Sequence, residues 1–184
     1  MLSKVTNIKV SINCSKISLD SVKDICEKNN LNTKVFSNFI IFESKFVYTI
    51  FKSKQNNNYN HINITKIKTK KELIESIKLL KYLNIIIVKK TLKIDNVTGS
   101  LDLKKQIILK ELVNLIDKYQ FNGSIDISYN NEVFPGLFIK VKQENKKIGT
   151  IIIFHSGKVV FVGIKSIKKL KCLESLILAI TNMK

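Results

Sequence analysis

Ile151-Ile152-Ile153-Phe154-His155-Ser156-Gly157-Lys158-Val159-Val160-Phe161-Val162-Gly163-Ile164-Lys165 reads as a β-hairpin. Two runs of β-branched and aromatic residues flank Ser156-Gly157, where glycine supplies the turn. Neither run alternates apolar with polar. Ile151 and Ile153 share one face, and Ile152 and Phe154 the other. In the return strand Val159 and Phe161 oppose Val160 and Val162. A strand pair with one wet face would alternate. Both faces of this hairpin are therefore built to be covered. A second marked stretch, Glu132-Val133-Phe134-Pro135-Gly136-Leu137, reaches the hairpin through a Lys-rich connection.

Outward from the hairpin, the same order of elements occurs twice. Val5 to Cys14 reads as a strand. Ser18-Leu19-Asp20-Ser21 offers capping side chains, and Val22, Ile25 and Cys26 follow at helical spacing. Lys34 to Glu43, Lys45 to Lys52 and His61 to Lys68 read as strands, with an Asn-rich loop at about 54–60. Thr69-Lys70-Lys71-Glu72 is a capping box, opening a helix with Leu73, Ile77, Leu80 and Leu83 inward. The second round has a strand from Leu92 to Leu103 and a helix from Lys104 to Tyr119. That helix turns Ile108, Leu112, Leu115, Ile116 and Tyr119 inward. A short strand from Ile125 to Tyr129 and the hairpin follow. The last helix, capped by Ser166, carries Ile167, Leu170, Leu173, Leu176, Ile177 and Ile180. Asn7 pairs with Asn96, Phe51 with Phe154, and Lys68 with Lys165. This is an internal duplication, with repeats at 1–88 and 89–184 and no Pro/Gly linker between them.

The charge is one-sided: 32 basic against 14 acidic residues, a net of +18. A Lys/Asn/Ile-rich composition accounts for part of the lysine. The excess still points to a polyanionic partner. Three cysteines, Cys14, Cys26 and Cys172, have no paired spacing, which suggests a reducing compartment with neither disulfide framework nor zinc site. There is no N-terminal signal pattern, and the apolar runs are too short to span a bilayer. A long sheet with helices on one side and apolar residues on both faces leaves an exposed apolar surface. Apolar side chains meeting a polyanion suggest the DNA minor groove.

These motifs carry a resemblance. Residues 132–137 and 153–165, with Asn96-Val97-Thr98-Gly99-Ser100-Leu101-Asp102-Leu103, resemble the second repeat of the TATA-box-binding protein family. The likeness covers residues 91–180 strongly. Over residues 5–85 it rests on Asn7-Ile8, Val35-Phe36, Ile50-Phe51 and Thr65 to Lys68. It implies an α+β saddle in which two pseudo-symmetric repeats share one curved antiparallel sheet, with helices on the convex face. It also implies two pairs of DNA-intercalating phenylalanines, Phe36 with Phe51 and Phe134 with Phe154. Asn7 and Asn96 fall at the positions that bond base edges. The concave face then includes Lys9, Thr49, Asn63, Thr65, Thr98, Ile152, Val160 and Val162. Lys140, Lys158 and Lys165 fall where the family contacts phosphates. By the same matching, Phe42 replaces a phosphate-contacting arginine.

The implied function is a general transcription factor that binds and bends AT-rich, TATA-like promoter DNA to nucleate initiation. Its implied partners are factors of the IIB and IIA type or viral equivalents, and the RNA polymerase machinery. Glu132 keeps one of two glutamates that contact factor IIB, and Asn130 replaces the other. The alternative is a diverged paralogue, acting as a regulator or protein-interaction module with weak or altered DNA specificity. No cofactor, metal or membrane is implied. The scattered acidic residues, and His61 and His155 without partner motifs, argue against an enzyme. The divergence fits a viral or fast-evolving eukaryotic version, placed in a nucleus or in a viral factory or virion.

Overall fold

A computed structural model describes residues 2–53, 59–88 and 90–183. Most of the Asn-rich loop placed at about 54–60 lies outside the described residues. Ten strands and four helices are described: β1 (Lys4–Ile17), α1 (Leu19–Lys28), β2 (Asn32–Val35), β3 (Phe39–Glu43), β4 (Val47–Lys52), β5 (Tyr59–Ile67), α2 (Lys70–Tyr82), β6 (Lys93–Asp102), α3 (Leu109–Lys118), β7 (Ser124–Ser128), β8 (Gly136–Gln143), β9 (Lys146–Phe154), β10 (Lys158–Ile164) and α4 (Ile167–Thr181). The strands hydrogen-bond in the order β2-β3-β4-β5-β1-β6-β10-β9-β8-β7.

The chain divides into two compact units. The first is Asn7–Asp95. The second is Asn96–Lys184 together with Met1–Thr6. The division therefore cuts through β1 and β6. The start of β1 belongs with the second unit, and the start of β6 with the first. Ser3 shows what the exchanged segment does in the second unit. Its N–H donates to Glu174 Oε1 at 2.7 Å and its hydroxyl to Oε2 at 2.8 Å. Glu174 is buried on α4, so these two bonds serve a carboxylate that water scarcely reaches.

Each sheet face follows the period of two. In the first unit Ile8, Val10, Ile12, Ile40, Phe42, Tyr48, Ile50, Ile62 and Ile64 are buried. In the second, Val97, Leu137, Ile139, Ile151, Ile153, Val159 and Phe161 do the same. The helices cover this side: α2 lies on β5, and α4 lies on β9 and β10 with α3 against it. Each such side chain contributes about 1.5–3 kcal/mol by leaving water. The intervening residues are mostly half-buried or exposed, with Ser11 and Thr150 buried among them, and no described element covers this side. We call this side the open face.

Helix starts follow their capping signals. Ser18, Thr69 and Ser166 each accept a backbone N–H from the first turn. Glu72 also reaches back past the cap to accept the N–H of Lys68 at 2.7 Å, one residue before the N-cap Thr69. Three expectations fail locally. The helix expected from Lys104 begins only at Leu109. The segment before it is tied to the hairpin turn instead: Leu103 N–H donates to Gly157 O, and Ile107 N–H to His155 O. Ile108 is consequently exposed, while Ile107 is buried. Ile167 opens the first turn of α4 and is also exposed. The strand expected from Lys34 to Glu43 is two strands, split where Phe36 N–H turns back to Phe39 O. Ser37 and Asn38 in that turn are the residue types that favour it.

Candidate nucleic-acid interface

The register places the two open faces in correspondence strand by strand. In the first unit one row runs Lys34, Ile41, Thr49, Asn63, Ser11 across β2, β3, β4, β5 and β1. In the second it runs Ser128, Phe138, Ile152, Val160, Ser100 across β7, β8, β9, β10 and β6. Both units break register at one place. Between Ile64 and Ile67 the strand β5 carries one residue more than β1, and between Phe161 and Ile164 β10 carries one more than β6. The residue at this bulge has a left-handed backbone in both cases: Gly163 with φ 71° and Lys66 with φ 65°. Glycine takes that conformation without cost, and lysine does not. The Lys66 N–H donates to Asn7 Oδ1 at 2.8 Å, so Asn7 holds the bulge.

Every concave-face residue named from the sequence lies on an open face. Lys9, Thr49, Asn63 and Thr65 are half-buried in the first unit, as are Thr98, Ile152, Val160 and Val162 in the second. Asn7 and Asn96 are half-buried on β1 and β6. Lys140, Lys158, Lys165 and Glu132 are exposed.

The aromatic residues form one cluster per unit. In the second, Phe134 lies 5.8 Å from Phe154 and 5.0 Å from Phe138, centroid to centroid. In the first, Phe39 lies 5.9 Å from Phe51 and stacks on Phe36 at 4.5 Å. By ring contact, Phe39 stands to Phe51 as Phe134 stands to Phe154. Sequence reasoning missed Phe39 and Phe138. The signal was present: Phe39 pairs directly with Phe51 once β3 and β4 are registered. Phe36 is 44% exposed, outside the pair.

Phe42 requires a correction. It is fully buried, stacked on Tyr48 at 4.6 Å, and faces the helices. The residue that corresponds to Lys140 is Glu43. Lys140 pairs with Thr150, and Glu43 pairs with Val47, two residues before Thr49 just as Thr150 precedes Ile152. The turn from Phe36 to Phe39 is one residue longer than the step from Phe134 to Gly136, and a slip of one residue exchanges the faces.

The electrostatics of the two faces differ accordingly. Lys140 and Lys142 flank Asp126, and the Lys142 ammonium at 2.7 Å holds that carboxyl below the usual range. Asp102, opposite Lys158, is likewise held low by hydrogen bonds from Lys104, with Lys158 adding attraction. In the first unit Glu43 meets Lys66 at 3.5 Å. His61 lies opposite Phe51, and its Nδ1 is 2.9 Å from Asn13 Oδ1. The sequence contains no arginine. The positive charge of this surface is therefore carried by ammonium groups, which act as point charges and not as planar forks. Among the described residues no group of three or more His, Cys, Asp or Glu could hold a metal ion. No described helix is long and apolar enough to cross a membrane.

Residues 91–180 match the family described as Transcription factor TFIID (or TATA-binding protein, TBP). A TATA-box-binding protein-like 1 of Entamoeba histolytica is 37% identical over 78 residues, 42% of this chain and 32% of its own length. The TATA-box-binding protein of Aeropyrum pernix is 39% identical over 83 residues, 45% of this chain and 35% of its own. The chain thus spans about a third of the length of the curated relatives it matches. Methanococcus jannaschii TBP superimposes over 100% of both chains with a TM-score of 0.68 at 22% identity, a likeness of fold. These relatives are archaeal or amoebal and lend no support to a viral origin.

Proposed function

We propose, for a chain whose residues 91–180 match the TATA-binding protein family and whose whole length shares the fold of a solved TBP, that it is a transcription factor binding AT-rich duplex DNA through the minor groove. On this reading it bends the duplex and nucleates transcription initiation. The observation that carries the proposal is the pair of phenylalanine clusters on open faces, each among half-buried side chains and beside lysines. A soluble domain seldom leaves such a surface without a partner. Insertion of apolar wedges between base steps is the mode for which this family is known. The net charge of +18 supplies the attraction to phosphate.

In this mechanism Phe134 and Phe154 unstack one base step, and Phe39 and Phe51, with Phe36 outside them, unstack another. Asn7 and Asn96 donate to base-edge acceptors. Lys140, Lys158 and Lys165 fix the duplex by its backbone without reading sequence. Partners of the factor IIB type would meet the exposed Glu132.

The test is energy transfer between the ends of a labelled AT-rich duplex. The native chain should bend it, and should bend a scrambled duplex less. A Phe134→Ala, Phe154→Ala double variant should keep its fold and lose most of the bend. Bending unchanged in that variant would overturn the wedge assignment.

A further inference from the structure

We infer that Asn63 gives the first unit a place for a G·C base pair, read through guanine's exocyclic amino group. The inference rests on the minor-groove reading above.

Asn63 lies in the middle of its open face, between Thr49 on β4 and Ser11 on β1. Its Oδ1 is buried and has no hydrogen-bond partner among the described residues. Its cross-strand neighbour on β1 is committed elsewhere: Ser11 gives its hydroxyl proton to Asp95 Oδ1 at 3.1 Å. A buried acceptor left in this state destabilises the fold, and native proteins rarely keep one without a use for it. At the corresponding place in the second unit stands Val160, between Ile152 and Ser100. Valine there has nothing to satisfy.

The edges of base pairs in the minor groove decide which ligand completes Asn63. A·T and T·A present only acceptors, adenine N3 and thymine O2. G·C adds a single donor, the guanine N2 amino group. The Asn63 Nδ2 can serve an acceptor on any base pair, but its oxygen needs a donor. Only the G·C edge supplies both. The terminal torsion of asparagine is broad and roughly two-fold, so the amide turns toward the groove at little cost. The neighbours agree with this. Thr49, Thr65 and Lys9 stand where the second unit has Ile152, Val162 and Thr98. An apolar lining strips water from a guanine amino group and returns no hydrogen bond. The first unit's lining is polar.

The experiment uses the full chain and an AT-rich duplex, replacing one pair at a time by G·C. Each position is also made as inosine·C, which lacks the amino group, and as 2,6-diaminopurine·T, which carries it. Affinities are read by fluorescence anisotropy. At one position or two adjacent ones, guanine and diaminopurine should bind about three- to tenfold more tightly than inosine, the effect of one net hydrogen bond. Asn63→Val should erase that preference and melt no lower than the native chain. Guanine no better than inosine at every position would overturn the inference, and so would a preference that survives Asn63→Val. The base series on the native chain decides the matter even if the variant fails to fold. Duplex binding without an amino-group preference sinks this inference alone. Binding no better than to single strand by the native chain sinks the minor-groove reading and this inference with it.

Discussion

Phe42 and Glu43 exchange roles when residues are counted along the chain instead of across the strands. Phe42 belongs to the core, so Phe42→Ala should cost about 3–5 kcal/mol in chemical denaturation, the usual effect of emptying a buried aromatic site. Neighbouring Glu43 sets a negative charge where the second unit has Lys140. Glu43→Lys should tighten duplex binding whatever the sequence. It should also steepen the fall of log K with log salt by about 0.9, one added phosphate contact. Its bridge to Lys66 is exposed and its loss should be felt little. At this scale legibility followed the motifs. Phe134, Phe154 and Lys158 could be assigned to their strands and turns because Phe-Pro-Gly and Ser-Gly-Lys fix their neighbours' positions. Phe42 could not, because the turn before it carries no such marker and differs by one residue.

Among the elements, the bulge in β5 is the one under strain. Lys66 holds a left-handed backbone there, where Gly163 in β10 does so freely. The backbone N–H bonded to Asn7 is retained in any substitution but proline. Lys66→Gly should therefore raise stability by about 0.5–1 kcal/mol, the relief of the left-handed conformation less the added freedom of the unfolded chain. Thermal melting checks it, and a fall in the midpoint would count against the strain. Periodicity made most elements legible, since β-branched runs and capping boxes act locally. It overran at α3. Lys104 to Ile108 reads as helix by spacing, yet the N–H groups of Leu103 and Ile107 are taken by carbonyls of the hairpin turn and that of Lys104 by the Asp102 carboxylate, and no local pattern encodes that. The bulge was equally hidden, for it is defined only by the partner strand.

For the molecule as a whole, the duplication was legible and the exchange of strand segments was not. Repeat boundaries drawn between sequence halves cannot show that residues near position 4 pack beside α4. Ser3→Ala should show it. Removing one of the two donors to the buried Glu174 should lower stability by about 1–3 kcal/mol, and the loss should appear in hydrogen exchange of α4 in the second unit. Unchanged protection of α4 would deny Ser3 that role. The same contact sets an order in time. Ser3 and Glu174 are separated by 171 positions in sequence. At roughly 5–20 residues per second of synthesis, Ser3 emerges on the order of ten to thirty seconds before the carboxylate it will bind. During that interval the segment around Ser3 has no finished place to go. A chaperone that holds this nascent segment would thus bear on the second unit more than on the first.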